Sequence, residues 1–156
     1  MMKVLMTMLV VLLELSAISP NNIIGKWESV IYSINNGTAT TEKEYMYLNA
    51  DHTFSIVIFV SLEKDDAFIK DLRVEGSGIW KTRDNTLVLV VKKVEVPTAK
   101  EVYLISQQSL ESLAAKLQTK FLTEPIYISI IKSIDKNNLT ILNEKLKETR
   151  YIRNNY

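Results

Sequence analysis

The side chains that could do chemistry in this chain are few and scattered. The single histidine, His52, lies in a predicted turn, where the adjacent Asp51 is no indication of a positioned partner for a general base. Glu63, Asp65 and Asp66 form the densest carboxylate group, but they lack the spacing and glycine turn of a calcium-binding loop. No zincin motif, nucleophile elbow or phosphate-binding glycine loop is present. We therefore predict a non-enzyme without metal or cofactor, with His52 in a surface turn.

A pocket for an apolar molecule is a second kind of chemistry that the sequence could support. Residues 72–82 alternate, and one face of this predicted strand carries Leu72, Val74, Gly76, Gly78 and Trp80. An inward glycine in a barrel strand either allows a sharp bend or leaves space for something else. The candidate ligand-lining residues are Gly76, Gly78, Trp80 and, on the preceding strand, Ile58. Bending of the strand is the alternative interpretation of the two glycines.

The elements that must position these residues are short strands. Two-residue alternation bounded by turn residues predicts strands at 26–34, 43–49, 53–62, 72–82, 86–95, 126–134, 139–143 and 149–153. Turn signals separate neighbouring strands, as at Asn35-Asn36-Gly37. Near-sequential hairpins of this kind are typical of an up-and-down barrel or a sandwich, and a barrel leaves no exposed edges. We predict a mainly β fold, an up-and-down antiparallel β-barrel of about eight strands.

One amphipathic helix interrupts the strands before the last of them. An apolar stripe at helical spacing predicts it at about 107–122, with Ser106 or Ser109 as the cap and Pro125 beyond its end. The stripe consists of Leu110, Leu113, Ala114, Leu117 and Phe121. It fits packing against the barrel, or alternatively a lid or partner surface. Residues 102–105 fit either a strand or the first turn of the helix.

The first 19 residues have the order of a secretory signal peptide. Lys3 precedes an apolar run at 4–13, and Ala17 and Ser19 are small residues at the positions expected of a cleavage site. About ten apolar residues are too few for a membrane span. We predict a signal peptide at 1–19 and one domain at 20–156, periplasmic or secreted, with no stable span after cleavage. An uncleaved anchor and a buried N-terminal helix are the alternatives.

Composition and charge exclude several classes of protein. The net charge is +1, with 19 basic and 18 acidic residues mixed along the chain, so there is no electrostatic case for a nucleic-acid partner. Cysteine is absent, which rules out a disulfide scaffold, thiol catalysis and cysteine zinc sites. The domain must therefore be stabilised by hydrophobic burial, which a chain of this length can supply.

Four sequence pieces, in this order, resemble the lipocalin (calycin) superfamily in its small bacterial form. They are Gly25-Lys26-Trp27, the reversal Asn49-Ala50-Asp51-His52-Thr53-Phe54, Gly78-Ile79-Trp80 with Leu87 and Leu89, and Leu139-Thr140-Ile141 followed by a strand that ends at Arg153. His52 stands where a glycine is expected in the family's turn. The resemblance implies that Gly25 and Trp27 close the barrel floor and that an arginine packs over Trp27. Arg153 is our first choice for that arginine and Arg150 the second.

The resemblance also implies a function. We expect an exported, non-catalytic binding protein for a small hydrophobic molecule. The alternative is a barrel with a filled core that binds another protein of the cell envelope, as an interaction or inhibitor domain. The second function requires bulky side chains throughout the interior and an exposed apolar patch. The identity of any protein partner does not follow from the sequence.

Overall fold

A computed structural model describes residues 19–97 and 99–155. Apart from Ser19, the predicted signal peptide lies outside the described residues. The elements are α1 (Pro20–Ile23), β1 (Gly25–Asn35), β2 (Thr38–Leu48), β3 (Thr53–Lys64), β4 (Ala67–Arg83), β5 (Thr86–Glu95), β6 (Glu101–Tyr103), α2 (Gln107–Thr123), β7 (Ile126–Ile134), β8 (Asn138–Asn143) and β9 (Glu148–Arg153).

Eight of the strands close into an antiparallel up-and-down barrel. Each of β1 to β4 pairs with the next strand along the chain, β5 pairs with β7, and β7, β8 and β9 follow in order. The barrel closes where β9 pairs with β1. The short β6 lies outside this ring and pairs only with the first part of β4. The prediction of a mainly β barrel with one amphipathic helix before the last strands is confirmed.

The predicted boundaries differ from the structure at the starts of β2 and β4. Strand β2 begins at Thr38, five residues before the predicted start, although its first half is rich in threonine and charge. Pairing with β1 and β3 offsets the weak strand propensity of this segment. Strand β4 begins at Ala67, passes through a register shift opposite Val60 and Leu62, and pairs with β3 and β6 near its start. Of the two readings of residues 102–105, the strand is correct for Val102 and Tyr103.

Two turns adopt backbone conformations that the sequence signals. Asn36 and Gly37 join β1 to β2 with φ of 51° and 75°, the left-handed pair of a tight hairpin. His52 joins β2 to β3 with φ of 65°. This is the left-handed region that glycine enters most easily, so His52 occupies a backbone conformation that favours glycine.

The two ends of the barrel differ in how they are filled. We call the end near Trp27 the floor and the opposite end, where β1 turns into β2, the mouth. Large buried side chains fill the floor half, among them Trp27, Met46, Leu48, Phe54, Trp80, Leu87 and Leu139. Helix α2 lies at the mouth, where Leu117 and Phe121 pack against the core and the Gln118 amide donates to the Val94 carbonyl at 3.0 Å.

Candidate functional site

The barrel floor is built around Trp27. Its indole is fully buried, and its Nε1 donates to the carbonyl of Ile23 in α1 at 2.8 Å. The Arg153 guanidinium lies over the ring, 4.1 Å from its centroid. Gly25 has φ of 134°, and a Cβ there would stand 2.5 Å from Arg153 Nη1. A glycine two residues before the tryptophan therefore makes room for the arginine that covers it.

Arg153 also ties three chain segments together beneath the floor. Its Nη1 donates to the Ile24 carbonyl at 2.6 Å, its Nη2 to the Asn22 carbonyl at 2.6 Å, and its Nε to the Lys136 carbonyl at 2.7 Å. Arg150, the second choice, lies on the outside of the barrel and pairs with Glu148 at 2.9 Å. The floor residues Gly25, Trp27 and Arg153 thus lie in mutual contact.

The two inward glycines of β4 lie against neighbouring strands. A Cβ at Gly78 would overlap the Val90 carbonyl oxygen, because β5 crosses close to β4 at a register shift. A Cβ at Gly76 would stand 2.9 Å from a methyl group of Ile56. The space that Gly78 leaves is therefore occupied by backbone, and Gly78 lies in the floor half of the barrel.

Trp80 also belongs to the floor half. It is 2% exposed, and its Nε1 donates to the Asn49 carbonyl at 2.9 Å. The His52 ring packs against it with the ring centroids 4.9 Å apart. Trp80 therefore fixes the turn between β2 and β3, and it lies away from the mouth.

A row of polar side chains crosses the barrel interior one step above Trp27. Met46 on β2 is the register partner of Trp27, and Ser29 and Glu44 are partners of each other two residues further toward the mouth. Tyr151 lies at the same level on β9, two residues before Arg153, the partner of Trp27. Its hydroxyl donates to Glu44 Oε1 at 2.7 Å. We call Ser29, Glu44 and Tyr151 the polar row.

The apolar neighbour of the polar row is Ile58, the register partner of Glu44 on β3. Of the four predicted ligand-lining residues, Ile58 is therefore the one that the structure places beside inward polar groups. Val74 on β4 follows Ile58 at the same level and is 3% exposed. Around the barrel wall, the three residues of the polar row are thus followed by two aliphatic residues, Ile58 and Val74.

Inward side chains in the mouth half differ in exposure. Leu72 and Val74 on β4 are buried, although they are the register partners of Val60 and Ile58. The inward residues that remain partly exposed are Ile31, Glu42, Glu44, Ile56, Ile58, Val60, Tyr127, Ser129, Asn143 and Thr149. The described ladder between β1 and β9 covers only Trp27 with Arg153 and Glu28 with Ile152, while β1 continues to Asn35. Part of the inward surface is therefore not fully shielded from solvent.

The electrostatics of the polar row follow from its burial. Burial raises the pKa of the Glu44 carboxyl, the Tyr151 hydrogen bond opposes this rise, and the nearby Glu42 carboxylate adds to it. Burial and then the neighbouring Glu44 raise the pKa of Tyr151 well above its ordinary value. Tyr151 therefore remains protonated and serves as the hydrogen-bond donor to Glu44.

The outer surface carries a continuous aliphatic face, which we call the outer apolar face. Ile126, Ile128 and Ile130 alternate along β7 and are 56%, 42% and 44% exposed. Their register partners are Val90, Val88 and Thr86 on β5, and Ile79 on β4 pairs with Val90. Beside it, a groove of about 720 Å³ is lined by Asp51, His52, Ile79, Trp80, Lys81, Thr82, Arg83, Val88 and Val90.

The other candidate groups of the sequence do not lie in the barrel interior. His52 is exposed in the turn between β2 and β3. Glu63, Asp65 and Asp66 are exposed at the turn between β3 and β4. Within residues 19–97 and 99–155, no three histidine, aspartate or glutamate side chains form a group that could hold a metal ion. In the same part of the chain, no helix is long and apolar enough to cross a membrane.

No family model and no curated protein matches the sequence. The fold defines a class of architecture, the eight-stranded antiparallel up-and-down barrel with the helix α2 before its last three strands.

Sequence reasoning missed the polar row because the phase of two strands had not been assigned. Once Trp27 is taken as inward, the two-residue period makes Ser29 inward as well. In β2, Glu44 shares the phase of Met46 and Leu48, so a glutamate lies on the apolar face. A carboxylate on the inward face of a strand is the signal that would have identified the site.

Proposed function

We propose that the chain is an exported, lipocalin-like barrel that binds a small, largely apolar molecule in its mouth half and has no catalytic activity. The observation that carries the proposal is the partly exposed apolar side chains of β3 in the mouth half. Ile56, Ile58 and Val60 face inward and are not fully buried, although their neighbours Leu72 and Val74 on β4 are. Apolar walls with a few convergent polar groups are characteristic of small-molecule sites.

The architecture supports the lipocalin-like assignment without proving kinship. The glycine, tryptophan and arginine that the resemblance pairs at the floor are in contact, with Arg153 over Trp27. An eight-stranded barrel has an interior wide enough for one small ligand. Export is the prediction from the leader sequence.

Two neighbouring residues on β3 provide the test. Ile58 faces inward, and Val57 faces outward next to it. Protein purified from its native host would be extracted with organic solvent, and the extract would be analysed by mass spectrometry. We expect Ile58→Trp to lose the extracted molecule because the indole fills the interior, and Val57→Trp to retain it. No stoichiometric molecule in the unmodified protein, or equal retention by both folded variants, would contradict the proposal.

The outer apolar face favours a second function, the binding of another envelope protein. Side chains such as Ile126 and Ile128 are costly to leave in water, and monomers rarely expose large contiguous apolar patches. The test is a pull-down from an envelope extract with Ile128→Lys. Its matched control is Ile152→Lys on β9, where the isoleucine is 65% exposed. A partner retained by the control and lost from Ile128→Lys supports this function, and identical pull-downs contradict it.

A further inference from the structure

We propose that the polar row binds the protonated amine of an otherwise apolar ligand. This inference rests on the proposed function, because it names the class of molecule that the mouth half would take. It is carried by two observations: the arrangement of hydrogen-bond acceptors in the row, and two inward carboxyl groups that have no counter-ion among the described residues.

The row presents hydrogen-bond acceptors to the interior. The Tyr151 hydroxyl donates its hydrogen bond to Glu44. The phenol oxygen can therefore still accept a hydrogen bond, and the carboxylate retains free lone pairs. Ser29 adds a hydroxyl oxygen opposite Glu44. A primary ammonium group carries three donors and no acceptor. Three oxygens on three adjacent strands therefore match its donors.

Ser29 adds a hydroxyl group to the row. The residue is 4% exposed and faces the interior opposite Glu44, and its hydroxyl is not engaged by another side chain of the row. A ligand donor held between Ser29 and Glu44 can therefore bond to this hydroxyl oxygen.

Two inward carboxyl groups, Glu42 and Glu44, have no counter-ion among the described residues. Glu42 follows Glu44 on the same inward face, one step nearer the mouth. The four ion pairs among the described residues all lie elsewhere, at Glu75, Glu95 and Glu148. A mostly apolar interior makes an unpaired carboxylate costly, and a bound cation reduces that cost. A fatty carboxylate would be repelled by the same two glutamates.

Three twelve-carbon amphiphiles separate the possible ligand classes: dodecylamine, dodecanol and dodecanoate. Their binding to the purified protein at pH 7, below their micelle concentrations, would be measured by titration calorimetry. We expect dodecylamine to bind with one-to-one stoichiometry, roughly tenfold or more tighter than dodecanol. Dodecanoate should bind least tightly of the three.

Substitutions in the polar row then test whether the preference for dodecylamine depends on these residues. Glu44→Gln keeps the side-chain shape and should remove most of the advantage of dodecylamine, with dodecanol affinity changed by less than about threefold. Ser29→Ala should weaken dodecylamine binding by a smaller factor. Glu63→Gln, which alters an exposed carboxylate outside the barrel, is the matched control and should leave all three affinities unchanged.

The outcomes keep the two proposals apart. Equal binding of the three amphiphiles, or tighter binding of dodecanoate, overturns the amine inference while leaving an apolar site in place. An unchanged preference in a folded Glu44→Gln variant also overturns it. Binding of none of the three contradicts the apolar site itself. If Glu44→Gln does not fold, the comparison of ligands on the unmodified protein and Ser29→Ala still decides.

Discussion

Replacement of Arg153 by methionine should lower the free energy of unfolding by about 2–4 kcal/mol. The guanidinium donates three hydrogen bonds to backbone carbonyls, but only the bond to Ile24 is partly buried. A hydrogen bond from a charged donor contributes about 1.5–3 kcal/mol, and water replaces most of the two exposed ones. The cation over the Trp27 indole, 4.1 Å from the ring centroid, adds about 0.5–1 kcal/mol.

Urea denaturation followed by tryptophan fluorescence would measure this loss. Arg150→Met is the matched control on the same strand. The Arg150 side chain is 82% exposed and pairs only at the surface, so its removal should change stability by less than about 0.5 kcal/mol. Arg153→Lys keeps a cation but loses the planar fork, and it should fall between the two. An Arg153→Met protein as stable as Arg150→Met would refute the account of the floor.

Four further substitutions test the account of the barrel. Gly78→Ala should lower the free energy of unfolding by about 2–3 kcal/mol in thermal or urea denaturation, because its Cβ would overlap the Val90 carbonyl. Gly76→Ala should lower it less, because the Ile56 methyl group that its Cβ would meet can move. Equal losses of stability would contradict this account. Glu44→Gln should stabilise the protein at pH 7. Because burial raises the folded-state pKa of Glu44, its protonated form favours folding, and the stability of the unmodified protein falls as the pH rises through that pKa. The difference in unfolding free energy between Glu44→Gln and the unmodified protein should thus shrink in denaturation series taken toward pH 4. A difference that stays constant with pH would refute this prediction. Ser106→Ala removes the hydroxyl that accepts from the Ser109 amide at the start of α2 and should cost about 1 kcal/mol, measured by helix circular dichroism and unfolding.

The barrel could be predicted from the sequence because its strands are amphipathic and its turns are specific. Alternation in residues 53–62 and the Asn36-Gly37 turn each point to one local structure, and their order allows few topologies. The starts of β2 and β4 could not be predicted. The first half of β2 is polar, and Lys70 and Asp71 interrupt the apolar pattern near the start of β4. Both segments become strands because neighbouring strands supply hydrogen bonds, a tertiary effect that local propensity does not contain.

The candidate site was less predictable than the fold. The glycines of β4 were conspicuous as residue types, yet Gly78 serves a close approach of β5. Ser29, Glu44 and Tyr151 lie on β1, β2 and β9. The hydrogen bond from Tyr151 to Glu44 joins residues that are 107 positions apart in the sequence. Their proximity depends on closure of the barrel between the first and the last strand, which no short-range pattern encodes.

The polar row has a cost that the fold does not require. Trp27 and the apolar residues around it close the barrel floor, and an aliphatic side chain at position 44 would extend that core by one layer. Buried charged groups are often less stabilising than apolar residues of similar size. If Glu44→Gln proves more stable at pH 7 and also loses the preference for an amine, stability and ligand binding oppose each other at one carboxylate. That opposition is the pattern expected of a binding residue, because functional sites commonly sacrifice stability.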